Sequence, residues 1–129
     1  MTRRMLHPLL GLSAALLLAP AAAAQDDLDS LAVATQRLDT GLALARGQIA
    51  ASDLTGAVGT LERVLFAHPE AVPPRLLYAS LLCRLDDRQG AELELGLLAG
   101  KRIADADWAG VAAACGPVAR PPARKGKRR

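Results

Sequence analysis

The chain has 129 residues, 16 of them basic and 13 acidic, and only three aromatics, Phe66, Tyr78 and Trp108. Ala and Leu outnumber β-branched residues, a balance that disfavours a sheet protein and suits helices packed through small side chains. The formal net charge of +3 misdescribes the body: residues 25–119 hold 8 basic and 13 acidic side chains, and six bases crowd into the last ten positions.

The N-terminus reads as an export signal. Arg3 and Arg4 precede the short apolar run "LLGLSAALLLAPAAAA", and Ala22-Ala23-Ala24 offers a small-residue cleavage site before Gln25. A membrane span needs about 20 predominantly apolar residues. This run is shorter and is interrupted by Pro20. No cysteine follows it, so a lipoprotein signal is not supported. The paired arginines leave both the general and the twin-arginine export routes open. Cleavage after Ala24 leaves 105 residues, enough for one small domain with a limited core. The signal and the Ala/Leu/Arg bias together point to the periplasm of a bacterial envelope.

After the acidic "QDDLDS", Leu28, Leu31, Thr35, Leu38, Leu42, Ala45 and Ile49 recur every three or four residues. The spacing predicts one long helix from Asp27 or Asp29 to about Ala51, with a break near Thr40-Gly41. Ser52-Asp53 begins a second helix with the stripe Ala57, Leu61, Val64 and Leu65, stopped by His68-Pro69. Pro73 and Pro74 suit the first turn of a third, whose "RLLYASLLCRL" is apolar nearly all round and expects neighbours on several sides. A fourth helix follows Asp86-Asp87 and runs to Gly100 as its C-cap. Asp105 or Asp107 opens a fifth, "WAGVAAAC", ended by Gly116-Pro117. Residues 117–129, "PVARPPARKGKRR", have no apolar period and are expected to be a disordered basic tail.

Residues 38–71 and 72–105 match at an offset of 34 at six positions: Leu42/Leu76, Ala45/Ala79, Asp53/Asp87, Gly56/Gly90, Ala57/Ala91 and Leu61/Leu95. Ala113 stands a further 34 residues beyond Ala79. In so Ala- and Leu-rich a chain the placement says more than the number. A small residue midway along one helix lets the next cross closely, and a second small residue completes the contact.

This 34-residue helix–turn–helix period resembles the tetratricopeptide repeat over about residues 38–115. The first unit supplies Leu44, Ala45, Ala57, Leu61 and Pro69, and the second Tyr78, Ala79, Leu82, Ala91 and Leu95. There are departures: Gly41 and Arg75 stand where the family usually has Trp, Ala stands for its usual Gly, and Ile103 for the second Pro. The resemblance implies an all-α, right-handed solenoid of helical hairpins over residues 25–116, with two units and a capping helix. It also implies that first helices line a groove for a protein or peptide. Arg46, Ile49 and Ala50 of the first unit, and Leu76, Ser80 and Arg84 of the second, match positions that face ligands in the family. Arg46 and Arg84 are then candidates to clamp a carboxylate or an acidic peptide; ordinary pairing with nearby acids is the alternative. Two units are fewer than the three usually needed for independent stability, so the long first helix, a disulfide or a partner chain, a second copy included, is expected to compensate.

Cys83 and Cys115 are the only cysteines, and both fall on first helices of successive units. An oxidising compartment favours a disulfide between them; two buried thiols are the alternative. Material for catalysis is scarce. Past the leader there is one histidine, His68, set beside a helix-ending proline, with no Gly-rich phosphate loop. Neither a metal site nor a cofactor nor a small-molecule substrate is expected. Asp86-Asp87 and Glu92/Glu94 read as helix-terminal charge and a solvated face. The expectation is a non-catalytic adaptor, scaffold or chaperone-like factor of an envelope complex. The alternative is a polyanion or membrane-surface binder acting through the tail, where no aromatics offer a platform for stacked bases.

Overall fold

The computed structural model describes residues 19–123, with side chains from 27 to 123. The expected leader, residues 1–24, lies outside the described residues up to 18, and the last six residues of the basic tail lie outside as well. Six helices and no strand make up the described residues: α1 (Ala19–Thr35), α2 (Leu38–Ala50), α3 (Leu54–Ala67), α4 (Val72–Arg84), α5 (Arg88–Gly96) and α6 (Asp105–Cys115). Each of α2–α3 and α4–α5 forms a hairpin; α3 also packs on α4, α6 on α4, and α1 on both α2 and α3.

The long first helix expected from the sequence is two helices, and the break falls at Gln36-Arg37 rather than at Thr40-Gly41. The Thr35 hydroxyl bonds back to the Leu31 carbonyl at 2.9 Å, and the Thr40 hydroxyl takes the Ala34 carbonyl at 2.7 Å. Those bonds close the end of α1. His68 Nε2 donates to the Gln36 carbonyl at 2.9 Å and pins the turn to the end of α3. Gly41 lies inside α2 because α3 comes too close for a side chain: a Cβ there would sit 2.3 Å from Val64 Cγ2.

The two hairpins begin alike. The Asp53 carboxylate accepts from the Gly56 amide at 2.9 Å, and that of Asp87 from the Gly90 amide at 2.8 Å. Each satisfies a backbone donor that the first helical turn leaves unpaired. Ser52 and Asp86, also 34 residues apart, hold left-handed φ values of 65° and 66° at the hairpin turns. Leu42, Ala45, Ala57 and Leu61 nucleate one cluster of the core; Leu76, Ala79, Ala91 and Leu95 nucleate the other. Ala45, Ala57, Ala79 and Ala91 are all fully buried, so the helices cross where the small residues stand. Pro69 is exposed in the turn between hairpins, where its carbonyl accepts from Arg75 at 2.6 Å.

The second hairpin differs from the expectation in three ways. Helix α5 stops at Gly96, and Gly100, at φ 78°, ends the turn that follows rather than the helix. Glu94 is no part of a solvated face: its carboxylate pairs with Arg75, a side chain only 10% exposed. Residues 117–123 are not free chain. Arg88 donates to the carbonyls of Cys115 and Pro117, the Gly100 amide to that of Pro122, and Arg120 to both Asp105 and the Ile103 carbonyl. The Arg120 guanidinium also stands 5.9 Å from the centre of the Trp108 ring. This stretch straps α5 to α6. A disulfide joins Cys83 on α4 to Cys115 on α6.

Candidate functional site

Arg46 lies one turn before the end of α2 and Arg84 at the end of α4, with Ser80 one turn and Leu76 two turns before Arg84 on the same stripe. These four residues line one cleft of about 370 Å³. Leu76 is 4% exposed and serves as its floor. The Ser80 hydroxyl donates to the Leu76 carbonyl at 2.9 Å, so it turns back to its own helix. Pro73 and Leu77 complete the α4 wall, and α6 supplies the facing one through Ala106, Asp107, Gly110 and Ala114.

Two expected groove residues fall elsewhere. Ile49 is half-buried against the Leu42–Leu61 cluster, and Ala50, the last residue of α2, is exposed outside the cleft. Arg46 alone represents α2 in the lining, and the rest comes from α4 and α6. Asp107 is the functional candidate that the sequence reading missed. It lies 34 residues after Pro73, so the repeat offset carried one helix further would have put it on this wall.

Both arginines are exposed, and among the described residues neither has a carboxylate within ion-pair distance. Asp107 shares the cleft without closing on either. The cleft thus presents two cations and one anion beside the apolar Leu76 and Leu77. A segment carrying a carboxylate finds there two fork-shaped donors and apolar surface in the same cleft. The Cys83–Cys115 bond sits next in sequence to Arg84 and Ala114, so it fastens the two walls of the cleft to each other.

The chemistry available elsewhere is limited. Tyr78 donates its hydroxyl to Glu62 at 2.9 Å. Burial, and then the Glu62 carboxylate, push its ionisation above the ordinary tyrosine value. Glu70 is held below the usual carboxylate range by its hydrogen bond to Lys101, which ties the α3–α4 turn to the α5–α6 turn. No three His, Cys, Asp or Glu side chains gather as metal ligands would among the described residues. No described helix is long and apolar enough to cross a membrane.

No protein-family model matches the chain, and neither a curated protein nor a solved structure is significantly similar to it.

Proposed function

We propose that the chain is an exported, non-catalytic interaction module of a bacterial envelope, a tetratricopeptide-like stack of two helical hairpins and a capping helix. Its cleft between α4 and α6 holds an acidic peptide or the carboxylate-bearing end of a partner protein. The observation that carries this reading is the convergence of Arg46 and Arg84 on one cleft without an ion pair of their own among the described residues. Shared caps and shared core residues at a 34-residue offset support the repeat. Export is supported by the basic, apolar and small-residue succession before Gln25. The disulfide agrees with an oxidising compartment. In this reading the module works by holding components together, because one histidine past the leader gives acid–base chemistry little to use.

The test is affinity capture from envelope extracts with three forms: the intact chain, Arg46→Glu with Arg84→Glu, and a chain ended after Ala123. Ending after Ala123 rather than Gly116 keeps the strap of residues 117–123 in place. The cleft reading expects the same captured protein with the intact and shortened chains, and at least tenfold less with the charge-reversed one. Capture lost only on shortening assigns binding to the basic tail as a polyanion or membrane-surface binder. Intact mass of the envelope form should begin at Gln25; a cytoplasmic chain retaining the leader would overturn the localisation.

A further inference from the structure

Phe66 is the only phenylalanine of the chain and is 92% exposed, the most open of the large apolar residues among those described. It stands on α3 in a stripe with Gly59, Glu62 and Arg63, since spacings of three, one and three residues fall on one helical face. The stripe forms one wall of an open groove of about 770 Å³, and Ala32, Thr35 and Gln36 of α1 form the other. Leu28, one turn before Ala32 on α1, is 58% exposed and extends the apolar surface along it.

The spacing of the stripe is symmetric about a point midway between Glu62 and Arg63. If two α3 helices lie antiparallel across a two-fold axis through that point, Phe66 of each faces Gly59 of the other. Glu62 of each then faces Arg63 of the other. Size and charge are both self-complementary, which is the condition a two-fold interface has to meet. The groups needed are free to meet it. Glu62 uses one carboxylate oxygen for the Tyr78 hydroxyl, and Arg63 uses one guanidinium nitrogen for the Gly59 carbonyl at 3.1 Å; the other oxygen and nitrogens have no partner among the described residues. Gly59 leaves its side of α3 open among the described residues. A Cβ there would meet only the tip of the Arg63 side chain, at 3.4 Å, yet glycine in mid-helix is less stable than alanine. The open space there leaves room for an apolar side chain of a second surface.

The second hairpin provides an internal control. At the equivalent positions α5 and its following turn carry Leu93, Gly96, Leu97 and Gly100, which hold no charges to pair. The pattern on α3 therefore does not come from the repeat.

We propose that the α1–α3 groove docks a second copy of this chain, α3 against α3, through reciprocal Phe66–Gly59 packing and two Glu62–Arg63 ion pairs. The surface shares no residue with the cleft of Arg46 and Arg84, so the proposal stands or falls independently of the function above.

Sedimentation velocity of the full chain, with circular dichroism to check the fold, tests it. The unaltered chain should sediment as a dimer at about 100 µM. Phe66→Asp should weaken self-association at least tenfold with helicity unchanged, because the side chain touches little of its own fold. Glu62→Arg and Arg63→Glu should each give monomers, whereas mixing these two variants should restore a dimeric mass, as should Glu62→Arg with Arg63→Glu in one chain. Association through the apolar leader would ignore all of these changes. A monomeric unaltered chain, a dimer indifferent to Phe66 and Glu62, or a mixture that stays monomeric would each overturn the proposal.

Discussion

The hairpins α2–α3 and α4–α5 share their caps and four core residues but solve one packing problem in opposite ways. In the first, Gly41 brings Val64 close to α2, and Thr60 is buried with its hydroxyl lacking a partner among the described residues. Thirty-four residues on, the same positions are Arg75, Leu98 and Glu94. Here an arginine stands at the position equivalent to Gly41, and its guanidinium joins Glu94 on α5 to the Pro69 carbonyl of the preceding turn. The crossing alanines set how closely the helices approach and leave the chemistry beside them open. One hairpin answers with a small residue and a tight contact. The other answers with a buried ion pair, which adds direction more than stability.

The covalent link is the largest difference between the two hairpins. Reduction, or Cys83→Ser with Cys115→Ser, should cost about 3–4 kcal/mol for a loop of this length. The loss should fall on α6 and spare α2–α3. Trp108, the only tryptophan, should shift its emission before helical circular dichroism collapses. Simultaneous loss of both signals would mean that the hairpins melt as one unit.

Next in size is the ion pair itself. Arg75→Leu should cost about 2–3 kcal/mol, less than a fully buried pair would lose, because the Glu94 side chain keeps 23% exposure. Adding Glu94→Leu should recover most of it, and thermal melting of the four combinations measures the coupling. Additive losses would show that Arg75 acts through its packing and the Pro69 carbonyl alone.

Ala57→Leu and Ala91→Leu test the likeness rather than the difference. Both alanines are fully buried, so each change should overpack its crossing by about 1–3 kcal/mol, and by similar amounts. Denaturant melts that separated them by more than that range would show two crossings of different tightness. The smallest effect is a gain: Thr60→Val removes the unpartnered hydroxyl and should stabilise by about 1 kcal/mol. An unchanged or lower melting midpoint would mean that the hydroxyl is satisfied in solution.

The parts legible in the sequence were those written locally. Asp53 and Asp87 announce their helices through a bond three residues on, and the buried stripes keep the helical period. The break between α1 and α2 was misplaced because Leu31, Thr35, Leu38 and Leu42 stay in phase across a two-residue turn. Arg75 opens an apolar run; its partner Glu94 is 19 residues away, and nothing in the spacing announces it. The strap escaped notice for a related reason. It is held through backbone carbonyls and two arginines, and a Pro-rich stretch without apolar period carries no mark of that. In the cleft, Arg46, Leu76, Ser80 and Arg84 stand at positions that the family resemblance marks, while Asp107 lies on the capping helix, beyond the positions it marks.

The aspartate caps also constrain the order in which this chain could have changed over time. A Cβ at Gly56 would fall 2.0 Å from an Asp53 carboxylate oxygen, and one at Gly90 2.3 Å from that of Asp87. An alanine at either glycine, taken first, gains helical propensity but evicts the capping carboxylate. Taken after the aspartate has gone, the same alanine meets no obstacle and only gains. The value of one substitution therefore depends on whether the other has already occurred. With both residues in place, either single change carries a cost, so the Asp-x-x-Gly pair behaves energetically as one unit.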